Sequence, residues 1–251
     1  MGALHDGHLS LVDRARQDAD AVVVSIFVNP MQFGPKEDFG AYPRQLAADA
    51  ALCARAGVGL VFAPARAAMY PPGFETHVEV GQLTTRWCGA SRAGHFRGVT
   101  TVVLKLLNAA MADVAVFGEK DWQQLQAIRR MARDLDHPTA IVGAPIVREA
   151  DGLAMSSRNA YLTSDDRARA LAIARSVQAA RIGVAAGVRD ADTISDGVAR
   201  AIESAGGRVD YVAVVDPDSL EPVAAIAAPA RLLVAAFFGR TRLLDNIALS
   251  P

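Results

Sequence analysis

Apolar positions along the chain alternate between two patterns. Short, largely apolar runs, AVVVSIFV at 21–28, VGLVFAP at 58–64, DVAVF at 113–117 and AIVGAPIV at 140–147, are separated by longer stretches of helical period at 8–17, 43–57 and 98–111. A strand with no polar face belongs in a parallel sheet covered on both sides, so this alternation predicts a Rossmann-like α/β unit. The helix over 43–57 has proline in its first turn and glycine at its end, the usual punctuation. Between 69 and 98 the pattern lapses through a Gly-, Pro- and polar-rich stretch, read as a loop with one short strand at THVEV, 76–80. Beyond Thr163 the order changes. Two alanine-rich helices at 165–186 and 192–205 precede three strand-like segments, VDYVAVV, RLLVAAFFG and TRLLDNIAL. Helices followed by consecutive strands predict a separate, smaller α+β domain, with the division at 1–147 and 148–251.

Composition narrows the function classes without choosing among them. The 251 residues are 51% hydrophobic and 21% charged, with a net charge of −1. That balance provides no broad positive field for nucleic acid or an anionic membrane, so any phosphate ligand must be held by local groups. A small-molecule partner is expected. The two cysteines, Cys53 and Cys88, suit a reducing cytoplasm and are expected to be unpaired. No apolar run approaches the roughly 18 residues of a membrane span, and the first residues lack the basic-then-apolar order of a signal peptide.

Candidate chemistry begins at the first residues, MGALHDGHLSLV. His5 and His8 bracket Asp6-Gly7 at the start of an amphipathic run, and a helix mouth presents partial positive charge to an anion. Gly2 and Gly7 would let the backbone approach phosphate closely. Zinc is disfavoured because the histidines stand three apart across a glycine, without the four-residue helical spacing of metalloproteases. At the carboxyl end of the first strand, Asn29 and Gln32 read either as ligand contacts or as turn and solvent residues. Arg92, His95 and Arg97 read either as an anion patch or as a solvated basic loop. Gly118, Glu119, Lys120 and Asp121 form another strand-to-helix turn, in which Asp121 can cap the helix carrying Trp122, Gln123 and Gln124. Lys120 there can neutralise phosphate charge or lie on the surface. The polar stretch 148–159 carries Ser156, Ser157 and Arg158 and is composed as a mobile phosphate-gripping loop hinged at Gly152.

Taken in order, MGALHDGH, SIFVNPMQFGPKEDFGAYPR, GHFRGVTTVV, FGEKDWQQL, READGLAMSSRNAYL and RLLDNIA resemble the pantothenate synthetase family over nearly the whole chain. The resemblance implies a nucleotidyltransferase-superfamily enzyme that joins pantoate to β-alanine with ATP through a pantoyl adenylate. HDGH resembles the first superfamily signature, shared with class I aminoacyl-tRNA synthetases, and MSSRN the second. By that resemblance Met1, Gly2, His5 and His8 face ATP, with His8 as proton donor. Gly118, Glu119, Lys120 and Asp121 form the nucleotide turn, and Val147, Met155, Ser156, Ser157 and Arg158 complete the ATP side. Gln32 and Gln124 resemble the glutamines that hold pantoate, with Asn29 nearby. His5, His8, Lys120 and Arg158 are the expected charge stabilisers. The C-terminal domain is expected to act as lid and dimer element, and the protein to be a cytoplasmic homodimer.

Two departures stand beside the resemblance. Family members carry a strand and a Pro-Thr ahead of the HDGH motif, so the first domain is expected to lack its first strand and the motif to fray. An acidic pair implicated in Mg2+ binding falls on Ala48 and Asp49, leaving Asp49 alone as a weak metal ligand. Rival readings are another nucleotidyltransferase of the same superfamily, which the Gln32 and Gln124 pair opposes, and a truncated, non-catalytic nucleotide-binding form.

Overall fold

The computed structural model describes residues 1–34, 39–40 and 42–251, so residues 35–38 and 41 of the polar loop after the first strand lie outside the described residues. Contacts divide the chain into two compact units, Met1–Glu119 with Gln123–Pro145, and Lys120–Trp122 with Ile146–Pro251. Lys120–Trp122 belongs to the second unit.

The first unit alternates helix and strand as its periodicity predicts. Helix α1 (Asp6–Ala15) leads to β1 (Val23–Ser25), α2 (Leu46–Arg55) to β2 (Leu60–Phe62). Two short helical turns, α3 (Arg66–Met69) and α4 (Cys88–Ser91), precede α5 (His95–Ala110), β3 (Val114–Gly118), α6 (Trp122–Asp134) and β4 (Ala140–Ala144). All pairing here is parallel: β1 with β2 in the register Val24 to Val61, and β3 with β4 in the register Val116 to Val142. Among the described residues these are two separate pairs, where the apolar runs predicted a single sheet. Met1 lies alongside β1 in a parallel-strand manner, its amino group donating to the Ser25 carbonyl at 3.0 Å and its carbonyl accepting from Phe27 N–H at 3.1 Å.

Two cores follow from those patterns. Leu4, Val12, Val22, Val24, Ile26 and Cys53 cluster under α1 and α2, while Val99, Val102, Val103 and Leu107 of α5 meet Ile128 and Met131 of α6. Cys53 and Cys88 are both buried, and neither is in a disulfide. Gly57 ends α2 in the left-handed region at φ 72°, a conformation glycine adopts without a Cβ clash.

The stretch at 76–80 does not form a strand. Its central residue instead bonds to side chains of α5: Val78 N–H donates to Thr101 Oγ1 at 2.9 Å, and Thr100 Oγ1 donates to the Val78 carbonyl at 2.6 Å. Threonine hydroxyls thus satisfy a backbone that the alternation alone would have assigned to a sheet.

In the second unit, α7 (Ser164–Ala185) and α8 (Ala191–Ser204) pack on an antiparallel sheet of β5 (Arg208–Val215), β6 (Ala230–Phe238) and β7 (Thr241–Leu249) in that order. Thr163 caps α7 through Asp166 N–H at 3.1 Å, and Asp190 caps α8 through Thr193 N–H at 2.7 Å. Strand β6 is central and almost wholly buried, and one register shift between Val209 and Tyr211 bends β5. Ile173, Val177, Ile202, Leu232, Phe238 and Leu249 form the core between helices and sheet. No helix among the described residues is long and apolar enough to cross a membrane.

Thr100→Val removes the hydroxyl that satisfies Val78 while keeping the shape of a side chain that is 0% exposed. Urea unfolding should report a loss of about 1–3 kcal/mol, the cost of leaving a carbonyl without its partner. An unchanged unfolding midpoint would mean that the Thr100 hydroxyl does not help to hold 76–80.

Candidate active site

The residues ahead of α1 are held by a buried carboxylate. Asp49, on α2 and 1% exposed, accepts from Ala3 N–H at 3.0 Å and Leu4 N–H at 2.8 Å, with Gln45 Nε2 at 3.4 Å. Ala3 sits at φ 50°, which costs an L-residue about 1 kcal/mol or more, and the two charge-assisted bonds offset it. The expectation that nothing ties this segment down is therefore corrected: Asp49 and β1 both hold it. Asp49 also receives a task other than metal binding, since both its oxygens are engaged by backbone N–H groups. No group of three His, Cys, Asp or Glu among the described residues could hold a metal ion.

From this anchored segment the chain enters α1 through His5, which is extended at φ −144° and ψ 174°. The His5 N–H donates to His8 Nδ1 at 3.3 Å, and the His8 and Leu9 N–H groups donate to the His5 carbonyl at 2.7 and 3.1 Å. The rings lie 4.1 Å apart, tilted by 46°. Because His8 Nδ1 accepts, the proton of the neutral ring resides on Nε2, leaving that nitrogen the donor. Gly2 is buried, but a Cβ there would meet Val28 Cγ2 only at 3.5 Å, an ordinary contact. The unusual backbone lies one residue later, at Ala3.

Asn29 and Gln32 flank a single 3-10 turn, Pro30–Gln32. Asn29 is 2% exposed, and all of its hydrogen-bonding capacity is engaged. Its Oδ1 accepts from Met31 N–H at 3.2 Å and Tyr70 OH at 2.8 Å, while Nδ2 donates to the Gly98 carbonyl at 3.0 Å and Gln32 Oε1 at 3.2 Å. Burial pushes the Tyr70 hydroxyl up to about 12, so it remains a donor well above neutral pH. Asn29 thus orients Gln32 by holding its amide oxygen, which leaves the amide nitrogen for other partners. The turn also sits close on α5: a Cβ on Gly98 would lie 2.3 Å from the Met31 carbonyl oxygen and 2.7 Å from Gln32 N. His95 Nδ1 and Arg92 Nη2 reach the Gln32 carbonyl at 2.8 and 3.2 Å, so two of the three basic residues at 92–97 brace this turn.

The glutamines of α6 divide by task. Gln123, 5% exposed, accepts from Cys88 N–H at 3.0 Å and donates to the carbonyls of Leu83 and Arg86 at 3.0 and 2.9 Å, fixing the loop before α4. Gln124 is half-buried and makes no such bonds among the described residues. At the end of β3, Gly118 lies under α1, 3.9 Å from Leu11 Cδ2 at its Cβ position. Glu119 then crosses Gly143 of β4, where a Cβ would come within 3.1 Å of its Cγ and Oε1.

In the second unit, the 148–159 stretch is a braced hairpin. Met155 N–H donates to the Val147 carbonyl at 2.9 Å, so two residues assigned to ATP are neighbours across the hairpin. Gly152, at φ 93°, makes its turn, and Arg148 bonds the Gly152 carbonyl at 3.1 Å. Glu149 holds Asn159 Nδ2 at 2.5 Å and Arg167 at 2.6 Å, and Arg167 also reaches Asp151 at 2.6 Å. Gly152 is the turn residue of this hairpin. Ser156 Oγ accepts from Arg158 N–H at 3.3 Å and begins the Ser157–Tyr161 turn. Lys120 and Asp121 lie in the Glu119–Asp121 turn ahead of α6.

The parallel strand pairs and the helices that alternate with them place the first unit in the α/β class. Comparison with known proteins makes that particular. A family model described as pantoate-beta-alanine ligase matches residues 1–248. A pantothenate synthetase of Sphingopyxis alaskensis is 58% identical over 98% of this chain and 88% of its own length, and one of Myxococcus xanthus is 55% identical over 99% and 86%. The crystal structure of the Thermus thermophilus pantothenate synthetase matches with a TM-score of 0.97 at 48% identity, covering 100% of this chain and 91% of that one. The Francisella tularensis pantoate-beta-alanine ligase, solved in complex with beta-gamma ATP and beta-alanine, matches with a TM-score of 0.82 at 34% identity, over 98% and 86%. The chain belongs to the pantoate–β-alanine ligase family, amide-forming ligases also called pantothenate synthetases.

Sequence reasoning missed Asp49 as the anchor, Tyr70 as the partner of Asn29, and Gly98 as the close-approach residue. A buried aspartate on the inner face of α2 was the one available signal, because a carboxylate inside must be satisfied. Asp49→Ala should lower stability by about 3 kcal/mol, as two charge-assisted bonds are lost and two buried N–H groups are left without partners. Asp49→Asn, which keeps one acceptor, should lose less. Equal unfolding midpoints for Asp49→Ala and the parent chain would remove this account of the loop.

Proposed function

We propose that the chain condenses pantoate with β-alanine using ATP, through an enzyme-bound pantoyl adenylate, releasing AMP and pyrophosphate. The family match over residues 1–248 carries this reading. Pantoate carboxylate oxygen attacks the α-phosphorus, and the bond to pyrophosphate breaks in line. The β-alanine amine, as its free base, then attacks the carbonyl carbon of the mixed anhydride, loses a proton and expels AMP. The first step needs positioned charge and no covalent enzyme group.

The residue roles in this proposal follow from the chemistry of each group. Met1, Gly2, His5 and His8 are assigned to the nucleotide, with His8 Nε2 as the donor because its Nδ1 is engaged by His5 N–H. Gly118, Glu119, Lys120 and Asp121 form the nucleotide turn, and Lys120 supplies positive charge to the phosphates. Val147, Met155, Ser156, Ser157 and Arg158 are assigned to ATP on the second unit, where the brace by Glu149 supports a preformed turn. Gln32 and Gln124 are assigned to pantoate, since an amide can donate to and accept from its two hydroxyls. Asn29 moves from substrate contact to orienting Gln32. Magnesium is proposed to travel with the triphosphate, because Asp49 is committed to the backbone. We also propose a cytoplasmic setting and a homodimer, in which the second unit takes part as lid and dimer element.

Incubation with ATP, pantoate and β-alanine should yield AMP and pyrophosphate; ADP and phosphate would sink the adenylate route. His8→Ala and Lys120→Ala should each slow pantoate-dependent pyrophosphate exchange on the order of 10²-fold or more, the scale for losing a preorganised charge donor. Exchange at the parent rate would make that residue structural. Sedimentation should give a dimer, and a monomer at all concentrations would refute that part.

A further inference from the structure

The motif LLDNIA on β7 carries two adjacent buried polar residues, one of them, Asp245, in the register of the core residues Leu243 and Leu249. Asp245 and Asn246 are each 2% exposed, and burial of that kind demands partners. Adjacent strand residues point to opposite faces of the sheet, so the two serve different segments.

On one face, Asp245 takes a bidentate pair from Arg148, with Nη1 to Oδ2 at 2.7 Å and Nη2 to Oδ1 at 2.9 Å. Arg148 in turn bonds the Gly152 carbonyl at 3.1 Å and is bridged to Ala154, so the carboxylate anchors the base of the hairpin leading into Met155–Arg158. On the other face, Asn246 Nδ2 donates to the Lys120 carbonyl at 2.9 Å, and its Oδ1 accepts from Arg231 Nε at 2.7 Å. Arg231 lies 3.7 Å over the Trp122 ring, and Trp122 Nε1 donates to the Pro217 carbonyl at 2.9 Å. Lys120–Trp122 is thus attached to the second unit's sheet both through its backbone and through a stacked side chain. The dipeptide is also linked within itself, since Asn246 N–H donates to Asp245 Oδ1 at 2.8 Å.

We infer that Asp245 and Asn246 are positioning residues for adenylation: one dipeptide sets the Lys120 turn and the base of the Met155–Arg158 hairpin in fixed relation to the same strand. The inference rests on the proposed role of Lys120. Its physical content is that a lysine acting as a preorganised cation needs its backbone fixed, because small misplacements of a charge donor are costly in rate. Asn246 provides that fixation through the carbonyl of Lys120 itself, leaving the ammonium uncommitted by this bond. Asp245 does the equivalent for the arginine-bearing hairpin.

The test separates positioning from general stability. Asn246→Asp keeps an acceptor for Arg231 but replaces the donor to the Lys120 carbonyl by a carboxylate oxygen, which repels it. Pyrophosphate exchange, with KM for ATP and for pantoate measured separately, should fall about tenfold or more in kcat or in kcat/KM for ATP, with the pantoate KM within about twofold of the parent value. Arg242→Ala, which breaks the Arg242 pair with Asp210 on the same sheet at 2.6 Å, should lower the melting temperature without that split. Placed on Lys120→Ala, Asn246→Asp should change the remaining rate by less than about twofold, since residues acting through one group are not additive. Should Asn246→Asp not fold, Asn246→Ala carries the same test without introducing charge.

Parent-like exchange in the Asn246 variant, a pantoate KM raised more than about twofold, or a full additive loss on Lys120→Ala would each overturn the inference. If Lys120→Ala itself exchanges at the parent rate while the Asn246 variant does not, the role of Lys120 is what fails. Asp245→Asn, which leaves Arg148 an acceptor without charge, should raise the ATP KM and spare the pantoate KM; a parent-like ATP KM would remove Asp245 from the proposal.

Discussion

The first unit depends on a carboxylate that almost no solvent reaches. Asp49 projects from α2 beneath the chain that enters α1 and receives the N–H groups of Ala3 and Leu4. A buried aspartate without partners would be costly, and two backbone N–H groups turned inward without an acceptor would be costly as well. Each requirement satisfies the other across a separation of 45 and 46 residues. The left-handed turn at Ala3 is the local consequence, since it aims both N–H groups at one carboxylate. The extended His5, the bond from His5 to His8 and the start of α1 all take their places from that anchor.

A second regularity runs through the amides. Asn29 and Gln123 are nearly fully buried, and their hydrogen-bonding groups are occupied by the chain itself. Gln32 and Gln124, one a turn away and the other the next residue, are the glutamines proposed for pantoate. The division has a physical logic: an amide whose partners are all intramolecular has a fixed orientation, and it can pass that orientation to a neighbour. Gly98 makes the same arrangement possible sterically, because any side chain there would separate the Pro30–Gln32 turn from α5.

The second unit uses its sheet differently. Its helix-facing core is conventional, but β7 interrupts the apolar pattern at Asp245 and Asn246 to hold Arg148 and Lys120. Ionic braces from Glu149 and Asp151 to Arg167 continue the support along the hairpin. Individually exposed pairs of this kind contribute little to stability, but a shared arginine that restrains two points of one turn limits its conformations.

Periodicity was sufficient to recognise the alternation of parallel strands and helices, because an unbroken apolar run such as 114–117 presents no polar face and belongs between layers. It was sufficient also for the change to helices followed by antiparallel strands, and motif order was sufficient for the family. The sequence therefore determined which segments are candidates for chemistry: HDGH, GEKD and SSRN are polar segments placed where one element gives way to the next. Tertiary structure alone decided how those segments are held. The backbone at Val78 is satisfied by threonines of α5, a pairing that local alternation cannot encode. Gln123 and Gln124 are identical in type and adjacent, and only the position of the Leu83–Cys88 loop separates a structural amide from an available one. Asp49 reads as a metal candidate in one dimension and as a loop anchor in three, because its partners are backbone N–H groups, which every residue but proline possesses and which no sequence pattern distinguishes.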